Sequence, residues 1–514
     1  MLTYSSGQKI PMNWRTTSSD PLRQALEVRK TVVSAPLIED PNEAHFITIS
    51  ANVSFELPFD CLEGETVQGS LECVYLTNYR LHCGHADLPI SVIRSVSLSS
   101  RTISIYTSEI RHISVSFSSS DAETVRKFVD VLSLFAFSTR DVPFALSHRG
   151  QIGNFFDENF ARLEFPGCRV STVNGNFSQC ATYPEKLIVP SGISDSEIRA
   201  CAEFRDKMRF PVCSFPGLWR SAQPKTPLGN RSQADENFLA ALGERVLIMD
   251  LRPMINALAN QLIQGSGSEN VANYPNVDEL VFCDIPNIHV VRDAFDAIFA
   301  EIGNFSFRDC TYGWWPIFER AGWYAMIGKI FKAASLAQNS LQAGRAVLVH
   351  CSDGWDRTPQ VTSLVMLLED SHFRTFEGFA ALVDQEWVRL GHKLHDRLGF
   401  GSPDSREFSP VLMQWLDCVH QALRQRPDAF EFDEKFLVRF YELVISARYG
   451  NFVFNNEQER HDRGVYSKCR SLWPDLFRQS RRRVVTETGR INIEYRAFGL
   501  CVWNSFWLRF TKLS

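Results

Sequence analysis

Ala346-Val-Leu-Val-His-Cys-Ser-Asp-Gly-Trp-Asp-Arg-Thr358 is the stretch on which the fold turns. Its apolar start, Ala346 to Val349, has the length of a buried strand and runs into a polar segment holding a Cys, a Gly and an Arg. Beyond it Val361, Leu364, Val365, Leu367 and Leu368 form an apolar helix face, with Pro359 in the first turn, where its missing N–H is tolerated. Strand, polar loop and helix in that order predict an α/β domain, whose sites lie at the carboxyl ends of its strands.

The loop suits a doubly charged phosphate monoester. Backbone N–H groups turned inward make a nest for an anion, and the helix N-terminus adds partial positive charge at the same point. The same field lowers the pKa of the Cys351 thiol and makes it a nucleophile. Arg357, six residues on, can return across the loop and grip two phosphoryl oxygens with its planar fork. Thr358 can offer its hydroxyl to the sulfur. A second Cys-x5-Arg match, Cys418 to Arg424, has no Gly and no preceding strand. It sits in the helical pattern of Leu412, Trp415, Leu416 and Val419, where backbone N–H groups are already occupied, so it cannot cradle phosphate.

Working outward, Arg245 to Met249 and Leu280 to Cys283 are short apolar runs that supply further strands of a central sheet flanked by helices. This domain is expected over 145–480. Over 43–137 the texture is different. Alternating runs at His45 to Val53, Val67 to Leu71, Cys73 to Leu76, Ile90 to Leu98, Thr102 to Tyr106 and Ile113 to Phe117 are separated by turn residues, and helical spacing follows from Ala122 to Leu134. Such an order predicts a smaller, mostly-β domain closed by one helix, as in pleckstrin-type lipid-binding modules. Residues 1–42, rich in Ser, Thr and Pro, read as a mobile leader. The tail, 481–514, opens with Arg481-Arg482-Arg483 and ends in aromatic residues that suit either packed core or an interfacial anchor.

With 514 residues, 44% of them apolar and 39 of them Phe, the chain has enough bulky surface to build two cores. A net charge of −5 argues against a nucleic-acid partner. The N-terminal residues lack a basic segment followed by an apolar run, and no apolar stretch is long enough to span a bilayer. Thirteen cysteines, scattered and without a CxxC pair, fit reduced thiols in the cytosol better than a disulfide framework or a zinc site.

His350-Cys-Ser-Asp-Gly-Trp-Asp-Arg-Thr358 resembles the phosphate loop of the myotubularin family. Arg220-Ser-Ala-Gln-Pro224, Asp250-Leu-Arg-Pro253, Asn256-Ala-Leu-Ala-Asn260, Asp284-Ile-Pro-Asn-Ile-His289, Glu386-Trp387, Gly391-His392 and Ala429-Phe-Glu-Phe432 look like further landmarks of that family. Tyr75-Leu-Thr-Asn-Tyr-Arg-Leu81 resembles, more faintly, its N-terminal PH-GRAM module. The resemblance implies a cysteine-dependent phosphoinositide 3-phosphatase acting on phosphatidylinositol 3-phosphate and 3,5-bisphosphate through a phosphocysteine. It implies a cytoplasmic protein, peripherally bound to the cytosolic face of membranes, those of endosomes among them, with protein partners left unidentified. No cofactor or metal is expected, because Arg357 and the backbone donors supply the positive field.

The resemblance also implies a general acid inside the loop, with Asp356 preferred and Asp353 the alternative, while Ser352, Asp353, Gly354 and Trp355 line the bound phosphate. Trp473-Pro474-Asp475 matches the acid loop of tyrosine phosphatases in letters but lies far downstream of the nucleophile. Arg389, Lys393 and Arg397 stand at i, i+4 and i+8, one basic stripe on a helix. By resemblance Lys393 and Arg397 hold the substrate's other phosphates, and Asn260 and Asn287 contact the phosphate that joins inositol to lipid. Two rivals stand beside this reading: a protein tyrosine or dual-specificity phosphatase, and an inactive lipid-binding adaptor.

Overall fold

The computed structural model describes residues 57–84, 86–138, 143–152, 162–226, 230–255, 267–304, 314–400 and 406–510, with an isolated antiparallel ladder of Leu2–Thr3 against Lys9–Ile10. Apart from that ladder, the expected leader lies outside the described residues, as does the expected strand from His45 to Val53. Two compact units emerge, one holding Glu65–Asp141 with the residues up to Cys61, the other holding Leu62–Gly64 and Val142–Ser514. Among the described residues no helix is long and apolar enough to cross a membrane.

The first unit is built from two antiparallel sheets. β1 (Val67–Leu71), β2 (Val74–Thr77), β3 (Arg80–Cys83) and β4 (Ala86–Pro89) form one, and β5 (Ile93–Ser99), β6 (Thr102–Thr107) and β7 (His112–Ser116) the other. Helix α1 (Ala122–Ser133) packs on β1 and β5, so a single helix closes both sheets. Asp121 starts it by accepting from the N–H groups of Glu123 and Thr124, both at 2.9 Å. Val125, Phe128, Val129 and Leu132 then recur at helical spacing and are buried with Leu76, Leu88 and Ile105 of the sheets. In the Tyr75–Leu81 motif the Thr77 hydroxyl is a hub. It donates to Glu65 Oε1 at 2.8 Å and accepts from the N–H of Arg80 at 2.8 Å, fixing the β2–β3 turn.

In the second unit, β8 (Cys168–Ser171) and β9 (Leu187–Pro190) form a hairpin ahead of the main sheet. That sheet comprises β10 (Val212–Phe215), β11 (Leu218–Ser221), β12 (Val246–Asp250), β13 (Val277–Phe282) and β14 (Ala346–His350), in the order β10-β11-β14-β12-β13. Only β10 is antiparallel to its neighbour. β12 and β14 are buried at every residue, which is why they read as unbroken apolar runs rather than alternating ones. Helices α2 (Asp195–Phe204) and α3 (Gln233–Ala240) precede β10 and β12, helix α4 (Ile288–Asn304) follows β13, and the long helix α5 (Trp323–Gln342) leads into β14. α6 (Arg357–Glu369) leaves β14 through the polar loop and packs against α5 and α8 (Val411–Gln425). α7 (Phe376–Val383) lies between α6 and α8 in the chain.

Two expectations need correction. α6 was expected to present one apolar face, yet it is buried on all sides, Thr358, Gln360, Thr362 and Ser363 included. Its polar side chains are satisfied inside the core, for example Thr362 by the Thr358 carbonyl at 3.0 Å. The domain boundary at 480 does not hold either. Trp503, Phe506 and Trp507 are buried, and Trp507 packs edge-on against Trp323 and Phe318 at 5.2 and 5.0 Å. These three rings of the tail belong to the core of the second unit, while Phe498 stays exposed.

Candidate active site

The middle of the main sheet sets the site. Ser221, His350 and Asp250 are register partners at the carboxyl ends of β11, β14 and β12, so Cys351 leaves the sheet flanked by both neighbours. The chain must then turn sharply to reach α6, and Gly354 allows it with φ +77°. A Cβ there would stand 2.3 Å from the Ser221 carbonyl oxygen, so only glycine fits.

The loop's carbonyls are pinned outward one by one. His350 Nδ1 lies 3.2 Å from the Cys351 oxygen, and the Gln223 N–H donates to that of Ser352 at 2.9 Å. Two buried guanidiniums, Arg220 at 2.7 Å and Arg209 at 3.1 Å, donate to the Gly354 oxygen. His392 Nδ1 donates to Trp355 at 2.6 Å. In a trans peptide the N–H opposes the C=O of the same unit. The N–H groups of Ser352, Asp353, Trp355 and Asp356 therefore point away from these donors, toward the loop's interior. That is an anion nest built before any anion arrives.

Cys351 lies within this nest, 2% exposed. Its sulfur accepts from the Gly354 N–H at 3.3 Å and from the Thr358 hydroxyl at 3.4 Å. Burial alone would push the thiol up, but the Arg357 guanidinium and the Thr358 hydroxyl bring it below its ordinary value, against Asp356 and Asp353. Arg357 bridges the loop and the neighbouring β13–α4 connection, reaching the Ser352 hydroxyl at 3.4 Å and the Ile285 carbonyl at 3.3 Å.

The two loop carboxyls differ sharply. Asp356 is clamped by Arg397, Nε to Oδ1 at 2.9 Å and Nη2 to Oδ2 at 3.0 Å. Burial works against its charge, yet Arg397 and then His392 hold the carboxyl below the ordinary range. His392, buried and pushed down to about 4, is neutral with its proton on Nδ1. Asp353 is moved the opposite way, chiefly by burial and, after the counteracting Lys207, by the charges of Asp356 and Asp206. Of the two loop carboxyls, Asp353 is the one that holds its proton to higher pH.

The basic stripe is also revised. Gly391, with φ +77°, ends the helical stretch begun by α7, and a Cβ there would meet the Thr182 carbonyl at 2.1 Å. Arg389, Lys393 and Arg397 therefore share no continuous helix. Arg389 is spent on Asp384 at 2.9 Å and Glu457 at 3.4 Å. Lys393 and Arg397 do converge on the loop. The Lys393 ammonium lies 5.0 Å from the Trp355 ring centre, and Arg397 ion-pairs with Glu407 at 2.7 Å as well as with Asp356. Asn287 caps α4, accepting from the N–H groups of His289 at 3.1 Å and Val290 at 3.2 Å. Asn260 lies outside the described residues.

Residues 134–461 match the family model described as the myotubularin-like phosphatase domain. The chain belongs to this family. Phosphatidylinositol-3,5-bisphosphate 3-phosphatase MTMR6 of Caenorhabditis elegans is 33% identical over 362 residues, 66% of this chain and 53% of the relative. Phosphatidylinositol-3-phosphate phosphatase MTMR7 of Homo sapiens is 36% identical over 338 residues, 62% of this chain and 50% of the relative. Myotubularin of Xenopus laevis is 37% identical over 327 residues, 59% and 52% of the two chains. The chain spans about half the length of the curated relatives it matches.

In the second unit the two misleading motifs take structural places. Cys418 is buried inside α8 with its thiol pushed well up by burial, and Arg424 donates to the Gly499 carbonyl. Trp473 stacks on Phe440 at 5.3 Å, and Asp475 accepts from Tyr449 at 2.7 Å and pairs with Arg478 at 2.7 Å. The residues that sequence reasoning missed are Arg205, Arg209, Asp235 and Glu269, all buried behind the loop. Buried ions follow no period of 2 or 3.6, so no pattern in the chain singles them out.

Proposed function

We propose that this chain is a phosphoinositide 3-phosphatase working through a phosphocysteine. The observation that carries the reading is a buried thiol, lowered by Arg357, that receives a backbone N–H and a hydroxyl inside a ring of outward-pinned carbonyls. The Cys351 sulfur attacks the 3-phosphorus and the bond from phosphorus to the inositol oxygen breaks. That oxygen takes its proton from Asp353. Asp356 can serve only once Arg397 is drawn off it. Water then cleaves the phosphorus–sulfur bond, releasing phosphate, while Arg357 and the N–H groups of 352–356 hold the phosphoryl oxygens. Positioning and electrostatics supply most of the acceleration, as is general in phosphoryl transfer.

Substrate class follows from the relatives, two of which are named as phosphatases of phosphatidylinositol 3-phosphate or 3,5-bisphosphate. Lys393 at the loop supplies charge for a further phosphate, Arg397 being engaged by Asp356 and Glu407, and Asn287 and Asn260 are reserved for the phosphate joining inositol to lipid. Lys393 contributes point charge without the bidentate grip of an arginine. The first unit, two antiparallel sheets closed by one helix, supports assignment as a PH-GRAM lipid-binding module. We assign the protein to the cytoplasm, in peripheral contact with endosomal membranes. Retention of both Cys351 and Arg357 speaks against an inactive adaptor.

The test is phosphate release from each phosphoinositide in vesicles, beside a phosphotyrosyl peptide, with Cys351→Ser as control. Release confined to 3-phosphorylated lipids and lost in the variant supports the reading. Faster turnover of the peptide would move the protein to the tyrosine phosphatases.

A further inference from the structure

Behind the nucleophile runs a buried line of alternating charges. Asp235 grips Arg205 with both oxygens, at 2.7 and 2.8 Å, and is held by the Tyr274 hydroxyl at 2.9 Å. Arg205 Nη1 donates to Glu269 Oε1 at 2.6 Å. Glu269 Oε2 lies 3.0 Å from His350 Nε2, and the other ring nitrogen lies 3.2 Å from the Cys351 carbonyl oxygen. Every side chain in this line is fully buried.

The contacts of His350 bear directly on its protonation state. A carbonyl oxygen only accepts, and so does an ionised carboxylate. Arg205 keeps Glu269 ionised, so both ring nitrogens face acceptors. A neutral imidazole carries one N–H and would leave one of these buried contacts acceptor against acceptor. Only the doubly protonated ring satisfies both.

We propose that Glu269, anchored by Arg205 and Asp235, is a positioning residue that holds His350 as an imidazolium, whose second N–H pins the Cys351 carbonyl and whose charge favours the thiolate. The reading rests on Cys351 as nucleophile. The groups facing the ring agree with it. Burial would push the imidazole down, but Glu269 and Asp250 raise it, with Arg252 opposing. Despite its burial, Glu269 is held well below the ordinary carboxylate range by His350 and then by Arg205. Cys351 itself faces Arg357, Arg252, Asp353 and Asp356. The carboxylate of Glu269 sits on the far side of the ring from Cys351, so the nearer charge is the positive one. Losing both charges of the pair removes a net attraction for the thiolate.

The experiment is alkylation of Cys351 by iodoacetamide from pH 5 to 9 in wild type and Glu269→Gln, followed by mass spectrometry of the peptide. The readout does not depend on which phosphate ester is the substrate, so it can fail without the phosphatase assays failing. The variant should shift the titration upward by about one unit, making alkylation roughly tenfold slower near pH 6 and equal to wild type near pH 9. Glu269→Asp should recover part of the shift. Superimposed profiles, a downward shift, or a uniform loss at every pH would overturn the proposal. Selective 15N labelling of histidine in the unaltered protein decides the matter even if the variant does not fold. His350, assigned by its absence from His350→Asn, should remain doubly protonated at pH 8, and a neutral ring at pH 7 contradicts the proposal.

Discussion

Arg397 holds Asp356 by two nitrogens, at 2.9 and 3.0 Å, one residue before the arginine that reaches across the phosphate loop. A cation expected to serve the substrate thus already serves the loop. It orders the turn into α6 and holds the adjacent carboxyl below its ordinary range, which leaves Asp353 as the proposed acid.

Asp353→Asn should therefore lower kcat by about 100-fold, the usual scale for losing a positioned general acid. Because the carboxyl is raised, its protonated form is lost as pH rises through its pKa, so the basic limb of the wild-type kcat profile should vanish in the variant. Asp356→Asn should keep that limb. Steady-state profiles from pH 5 to 9 on phosphatidylinositol 3-phosphate vesicles check this, and a limb that survives in Asp353→Asn but not in Asp356→Asn would return the role to Asp356.

Arg397→Met leaves Asp356 nearly buried without its partner and should cost about 3 kcal/mol at pH 7. The sign of the pH dependence follows from the depressed carboxyl. The pair's contribution is present above the ordinary carboxylate pKa and is lost as pH falls through the depressed value. Urea denaturation at neutral and acid pH should show the gap between variant and wild type narrowing on acidification.

Gly354→Ala forces a side chain onto the Ser221 carbonyl at a left-handed backbone position. Displacing the loop by even about 1 Å should cost on the order of 100-fold in turnover. Orthovanadate binding should weaken in parallel while circular dichroism stays native, and retained vanadate affinity would show that the turn tolerates a Cβ.

Trp507→Ala removes a ring packed on Trp323, Phe318 and Phe295. The expected loss is about 3–5 kcal/mol, measured by denaturation. An interfacial anchor would instead lose vesicle binding with stability unchanged.

Much of this was legible in the chain. The runs at Val67 to Leu71, Thr102 to Tyr106 and Ala346 to Val349 became strands within a residue or so, because a side-chain period and a buried strand's length are local properties. Arg389, Lys393 and Arg397 misled because helical spacing was extended through Gly391, whose close approach to Thr182 is a tertiary fact. Arg209 and Gly354 meet across 145 residues, and His350 and Glu269 across 81, so no window along the chain could pair them. The clamp on Asp356 comes from a residue 41 positions on, which no local reading of the loop supplies.

The most direct test of the whole account is to trap the intermediate. The enzyme is mixed with vesicles of phosphatidylinositol labelled in its 3-phosphate, quenched in acid within milliseconds, and digested for peptide mapping. The label should sit on the peptide containing Cys351 and be absent from Cys351→Ser. Turnover of the lipid by that variant, or label found on any other residue, would contradict the mechanism.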